Sequence, residues 1–317
     1  MNSKSTIENL AKICRASDLE GFMNCPPKGV LDEFSGSKLV GLIQRFTHYF
    51  SHNSASTYVE IGIYQGLTLL ANAFANPLAK CIGIDNFSLF NEGLENKSIV
   101  KKRMDSLGVH NAQVIDMDFE DGLRELPALN KDMKVNVFFV DGAHDYRSQL
   151  VPLLRIKPLM AANGVIIIDD ANYPHVRQAT IDFLESEPEY ALLCEAYTEA
   201  HPANLSGKAK EEALAGWWNG VNVLVHDPDH VLKRSLPPQS LHKHLHLATH
   251  DIFRNRYAEL SFEILKNIEV LTNDEPWAAV ERTRLKNILE NHRLAHPLRF
   301  NHQNTFSKGL PSFNVYS

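Results

Sequence analysis

Two apolar runs in this chain end in acid: Val135-Asn-Val-Phe-Phe-Val140 is followed by Asp141, and Gly164-Val-Ile-Ile-Ile168 by Asp169-Asp170. Short β-branched runs read as strands buried on both faces, the kind found in parallel sheets. In an open α/β sheet, ligands gather outside the carboxyl ends of the strands, so all three acids are expected at the mouth of the sheet. There they repel one another unless some are protonated or a cation lies between them. All-oxygen carboxylate sites select hard cations such as Mg²⁺, Ca²⁺ or Mn²⁺. Magnesium leaves positions for water or for the two neighbouring oxygens of a diol. His144 lies three residues past Asp141. Its imidazole, with an ordinary pKa of about 6.5, suits it to take a proton from an attacking hydroxyl. Asp145 is a second base candidate. Each residue also has a plainer reading. Asp141 could be a strand-end carboxylate bonded to backbone amides. Asp170 could cap the helix ahead of Asn172-Tyr-Pro174, a role open to Asn172 as well. His144 could orient Asp141 or cap the next helix.

Upstream, Tyr58-Val-Glu60-Ile-Gly62-Ile-Tyr-Gln-Gly66 closes another strand. Glycines there let the chain turn and let a ligand approach the backbone. The spacing is Gly-x-x-x-Gly, without the extra glycine that admits a pyrophosphate in dinucleotide sites. A cofactor without phosphates fits it better; the alternative is an ordinary strand-to-helix turn. The next strand, Cys81-Ile-Gly-Ile, ends in Asp85. In Rossmann-like sheets an acid at this place bonds the ribose hydroxyls; otherwise it caps the following loop.

The elements that must position these residues follow from hydrophobic periodicity. Strands are expected at 57–62, 81–85, 112–116, 135–141, 164–169, 190–196 and 221–226. Helices are expected at 66–76, 96–107, 119–127, 145–160 and 174–185, with Pro152 kinking or dividing the fourth. This alternation predicts an α/β fold with a doubly wound, mostly parallel, seven-stranded sheet. Two helices precede it. The first covers 5–15, with Ser5 and Glu8 as a capping box; the second starts near Ser37, with Leu39, Leu42, Ile43, Phe46 and Phe50 on its buried face. A polar insert, 197–219, contains Trp217-Trp218, read as core packing beside the last strand or as a wall of a substrate pocket. Beyond Pro228, helices are expected at 250–266 and 275–292. The second has Asp274 as its cap and Trp277, Val280, Ile288 and Leu289 as its stripe. The tail from Pro297 is polar and without pattern. His242, His246 and His250 would share a helical face, read as a solvated face or a transition-metal site. The organisation is therefore an N-terminal helical segment (1–37), a ligand-binding α/β domain (38–228) and a helical extension with a polar tail (229–317).

Taken together, Glu60-x-Gly62-x-x-x-Gly66, Asp85, Val140-Asp141-Gly-x-His144-x-Tyr146 and Gly164-x-x-x-x-Asp169-Asp170 resemble the class I S-adenosylmethionine-dependent methyltransferases. They are most similar to the metal-dependent O-methyltransferases of the macrocin, mycinamicin and novobiocin type, over roughly 38–228. The resemblance implies that Glu60, Gly62 and Gly66 hold the methionine part of the cofactor and Asp85 the ribose, with Asp118 near the adenine. It further implies that Asp141, Asp169 and Asp170 hold magnesium or another hard divalent cation, with Asp141 and His144 as the catalytic pair. Some relatives carry an aspartate two residues after the first metal acid. Ala143 stands there here, which leaves His144 as the better base candidate, with Asp145 in reserve.

Composition narrows the partners. A net charge of −6, with scattered lysine and arginine, argues against a nucleic-acid partner, and no apolar run approaches a membrane span. Cys14, Cys25, Cys81 and Cys194 show no paired spacing and read as buried free thiols, which suits a cytoplasmic protein. The expected activity is methyl transfer from S-adenosylmethionine to a hydroxyl of a small molecule, a sugar or secondary metabolite, assisted by a divalent cation. The C-terminal helices are expected to form a lid or a homo-oligomer interface. The rivals are a nucleotide-dependent oxidoreductase or epimerase on the same sheet, which the glycine spacing disfavours, and a non-catalytic binding protein of this fold.

Overall fold

The structure is a computed structural model that describes residues 2–31, 35–52, 56–91, 93–129, 132–202, 205–239, 260, 265–272, 275–295 and 309–316. Two helices open the chain, α1 (Ser3–Glu20) and α2 (Ser37–Ser51). The side chain of Asn2 caps α1 by accepting from the Lys4 amide. The expected Ser5–Glu8 capping box is therefore inside the helix, which starts a turn earlier because Asn2 supplies the acceptor. Strands and helices then alternate: β1 (Thr57–Ile61), α3 (Leu67–Ala75), β2 (Lys80–Ile84), α4 (Asn96–Leu107), β3 (Ala112–Ile115), α5 (Phe119–Leu129) and β4 (Val135–Val140). They continue with α6 (Tyr146–Ile156), β5 (Met160–Asp169), α7 (Pro174–Ser186), β6 (Tyr190–Ala196), α8 (Gly207–Ala215) and β7 (Val221–His226). Pro152 lies inside α6 without dividing it; a 3₁₀ turn at Lys157–Leu159 follows instead.

The strand order is β3-β2-β1-β4-β5-β7-β6, followed at the edge by an eighth strand, β8 (Asn314–Val315). The first five strands in that order are parallel, and β7 runs antiparallel between β5 and β6. The order reverses between β1 and β4, which opens a crevice at their carboxyl ends. Side-chain alternation divides the core between the two sheet faces. Tyr58, Val137, Phe139, Val165 and Ile167 pack with Leu39, Leu42, Ile43 and Phe46 of α2. Val59, Phe138, Val140, Ile166 and Ile168 pack with Leu153 and Ile156 of α6 and Val176 and Phe183 of α7.

Three features differ from the sequence expectation. The seven expected strands are present, and β8 adds one from the tail read as patternless: Val315 pairs with Cys194 and Asn314 with Glu195. Two residues carry no periodicity, so this pairing has no sequence signature. Beyond β7, α9 (Ile268–Thr272) and α10 (Pro276–Ala295) are formed. The buried positions of α10 include Ala278 and Leu285, whereas Trp277 and Val280 of the expected stripe are exposed. Of the four thiols, Cys25 is exposed rather than buried. The His242–His250 run, most of the expected 250–266 helix and Asp274 lie outside the described residues. No helix among the described residues is long and apolar enough to cross a membrane.

The β8 edge is anchored by a buried acid. Glu195 accepts from Tyr316 Oη at 2.7 Å and from Tyr197 Oη at 2.8 Å, and the ring of Phe313 stacks on Trp217. Tyr316→Phe removes one donor from this carboxyl. Urea unfolding is expected to show a loss of about 1–2 kcal/mol, and an unchanged midpoint would mean that β8 contributes nothing through this bond.

Candidate active site

The loop after β1 is built around Gly62, whose φ of 83° lies in the left-handed region. A Cβ on Gly62 would stand 1.8 Å from the Asp141 carbonyl oxygen, so only glycine lets the β1 and β4 ends approach this closely. Asp85 holds the same loop. Its Oδ2 accepts from the amides of Ile63 (2.8 Å) and Tyr64 (2.9 Å), and its Oδ1 accepts from Phe87 (2.7 Å). Asp85 is thus a clamp on the glycine loop as well as a residue facing the cavity; Oδ1, which accepts one amide, keeps a second lone pair for a ligand hydroxyl. Gly66 caps the N-terminus of α3. Glu60 is fully buried below the loop and accepts hydrogen bonds from Tyr58 and from Thr68 Oγ1. Burial pushes its carboxyl up to about 8 in spite of those bonds.

The ends of β4 and β5 bring His144 between two acids. His144 Nε2 lies 2.8 Å from Asp170 Oδ2 and 3.5 Å from Asp141 Oδ1. Burial works against a charged imidazole, yet the two carboxylates raise its pKa well above the ordinary value. Burial also pushes the Asp170 carboxyl up, and the neighbouring His144 charge outweighs this, bringing it down to about 2. Asp141 goes the other way, to about 6, because burial and the Asp170 charge outweigh His144. Asp169 is pushed up by burial first and by the charges of Asp141 and Asp170 next. Its Oδ1 accepts the Asp170 amide at 2.8 Å. Asp141, His144 and Asp170 each offer a ligand atom within 4.8 Å of the others. Two carboxylates and one imidazole in that space fit a divalent cation. His144 belongs to this group with two of the three expected acids, and Asp169, the third, lines the same cavity.

The plainer readings resolve individually. Asp145, the reserve base, caps α6: its Oδ1 accepts from the Ser148 amide at 2.9 Å and its Oδ2 from Ser148 Oγ at 2.7 Å. Neither Asp170 nor Asn172 makes a side-chain cap on α7, whose N-cap is Tyr173. Asp170 instead sits at φ 55°, a left-handed conformation that few non-glycine residues adopt, with its Oδ2 beside His144.

A cavity of about 500 Å³ lies over these groups. Gly62, Asp85, Asp118, Asp141, His144, Asp169 and Asp170 all line it, while Glu60 and Gly66 support it from behind. Asp118 is exposed at its rim, where Oδ1 accepts the Glu120 amide at 2.9 Å. Tyr173, His201 and Trp218 also line it, and of these only Trp218 stood out in the sequence. The tryptophan pair splits its roles. Trp217 is core packing that donates from Nε1 to Asp18, and Trp218 walls the cavity beside His201. Asn219, next in the chain and fully buried, donates to Asp170 Oδ1. A lone asparagine in a polar insert carries no signal that would single it out. The tyrosine between His144 and His175 was equally silent: Tyr173 stacks on both rings, at 6.1 and 5.4 Å between centroids.

The Glu60 carboxyl ties this site to stability. With a folded pKa of about 8 against about 4.3 for a free glutamate, the folded chain binds the proton more tightly than the unfolded one. Its contribution is complete below the unfolded value and is lost as the pH rises toward the folded value. Glu60→Gln stays neutral and should level that decline. Chemical denaturation is expected to show the variant gaining on wild type between about pH 5 and pH 8; a constant difference across that window would contradict the assignment.

Residues 59–171 match the family described as a methyltransferase domain. No curated protein matches the chain. Among solved structures, the chain is similar to an O-methyltransferase from Bacillus cereus in complex with SAH, at 15% identity over 70% of this chain and 91% of that one, TM-score 0.44. It is also similar to the O-methyltransferase TomG from Streptomyces achromogenes, involved in tomaymycin synthesis and in complex with SAM, at 15% identity, 70% and 89% coverage, TM-score 0.41. An SAH-bound methyltransferase, PaMTH1 from Podospora anserina, aligns at 14% identity over 69% of this chain and 86% of that one, TM-score 0.43. The family match spans the glycine loop, Asp85, Asp141, His144 and both acids at the end of β5.

Proposed function

We propose that the protein is an S-adenosylmethionine-dependent O-methyltransferase acting on a hydroxyl of a small molecule, a sugar or secondary metabolite, with a divalent cation held by the carboxylates of Asp141 and Asp170 beside His144. The observation that carries the reading is the meeting of these three groups within 4.8 Å, inside a methyltransferase domain and at the mouth of its cavity. The phosphate-free Gly-x-x-x-Gly loop supports a sulfonium cofactor rather than a dinucleotide. In the transfer, the acceptor oxygen attacks the methyl carbon, the carbon–sulfur bond breaks, and the proton of the hydroxyl must leave. His144 Nε2 is the acceptor for that proton, provided that it is neutral when the hydroxyl arrives. A divalent cation held by Asp141 and Asp170, most naturally magnesium, would supply a Lewis acid for the hydroxyl and would balance the two carboxylates that otherwise keep His144 protonated. The protein's own part is to hold nucleophile and methyl in line and to exclude water.

Calorimetric titration tests this with S-adenosylmethionine and with magnesium, on wild type and Asp170→Ala. Wild type is expected to bind both and the variant only the cofactor. Magnesium affinity should fall as the pH drops below about 6, where Asp141 takes up its proton. Cofactor binding with no magnesium binding would remove the cation and leave His144 alone with the proton. No cofactor binding under any condition would sink the methyltransferase reading.

A further inference from the structure

Behind Asp170 lies a buried polar cluster that the methyl-transfer reading does not use. It joins the start of α7 to the insert between β6 and β7. The Ala171 amide donates to Gly220 O (3.1 Å) and the Asn172 amide to Asn219 O (2.9 Å). The side chain of Asn172 donates to Asn219 Oδ1 at 3.1 Å and to Thr198 O at 2.9 Å, and its own Oδ1 accepts the Thr198 amide at 3.1 Å. These bonds settle which way the Asn219 amide faces. Its Oδ1 is taken by Asn172, so its Nδ2 is the group turned to Asp170 Oδ1. Both asparagines are fully buried. Gly220 closes the cluster, since a Cβ there would come within 2.5 Å of Asn172 Oδ1.

We propose that Asn219 is a positioning residue for the methyl transfer: by holding Oδ1 of Asp170 it keeps Oδ2 turned to His144 and to the cation. The assignment rests on the reading under Proposed function. Asp170 has two oxygens and an uncommon backbone conformation, and without a fixed donor on one oxygen its carboxylate is free to rotate or the turn to relax. Carboxylates that bind metals are commonly held by such outer partners, and removing one costs about 10- to 100-fold in affinity. Asn219 follows Trp218 directly, so one short segment both lines the cavity and holds the acid.

The test uses the full chain with Mn²⁺ as the probe, its binding followed by electron paramagnetic resonance and S-adenosylmethionine binding measured alongside by calorimetry. Asn219→Ala should weaken Mn²⁺ about 10- to 100-fold and leave cofactor affinity within about twofold. Asn219→Ser replaces it if the alanine variant does not fold. Thr198→Val removes a member of the same cluster that does not touch Asp170, and should leave Mn²⁺ binding near wild type. Unchanged Mn²⁺ affinity in the Asn219 variant, or an equal loss in Thr198→Val, would overturn the proposal. If wild type binds no Mn²⁺, the cation reading fails separately, and crystal structures of wild type and the Asn219 variant decide. Asp170 Oδ2 turned away from His144 in the variant supports the assignment, and Oδ2 unmoved overturns it.

Discussion

The site depends on charge compensation among groups withdrawn from water. Asp141 and Asp170 face one another across His144, and Asp169 stands behind them, 1% exposed. A buried carboxylate with no compensating charge is costly, and two adjacent ones are more so. The imidazole offsets this with one positive charge and brings Asp170 down to about 2. Asp141, farther from the ring, is left at about 6. The arrangement is therefore an ion triplet in which the charge on His144 offsets the pair of acids on either side of it.

Backbone strain gathers around the same cavity. Asp170, Trp218, Tyr64, Phe87 and Phe90 all adopt positive φ, each at a cost of the order of 1–3 kcal/mol. Such conformations persist where surrounding bonds leave no alternative. For Tyr64 and Phe87 the amides are held by Asp85. For Asp170 the hold comes from Asn219, and for Trp218 from Thr198 Oγ1, which donates to its carbonyl at 3.0 Å. A single carboxylate, Asp85, thus shapes one rim of the cavity, and a cluster of buried amides shapes the other.

The scaffold explains why these groups can be held so closely. Five parallel strands covered on both faces present their carboxyl ends together, and the reversal of strand order between β1 and β4 opens room there for a ligand. The insert after β6 is joined to the N-terminus of α2, where Ser37 Oγ donates to Ala215 O at 2.8 Å and the Lys38 amide to Gly216 O at 3.2 Å. Through that contact the N-terminal helices support the cavity wall that carries Trp218.

The sequence by itself determined the α/β alternation, the seven main strands and the acids at their ends, because unbroken apolar runs and left-handed glycine turns are local properties. Gly62 was legible for the same reason: its type alone permits the backbone it adopts. Tertiary structure decided the rest. That His144 meets Asp141 and Asp170 depends on how the ends of β4 and β5 come together, and no spacing encodes that. Asp85 as a clamp, Asn219 behind Asp170, Trp218 apart from Trp217, and β8 on the edge of β6 all arise from contacts between segments distant in the chain. Each involves one or two residues, too few for a periodicity, so their roles exist only once the sheet has brought them together.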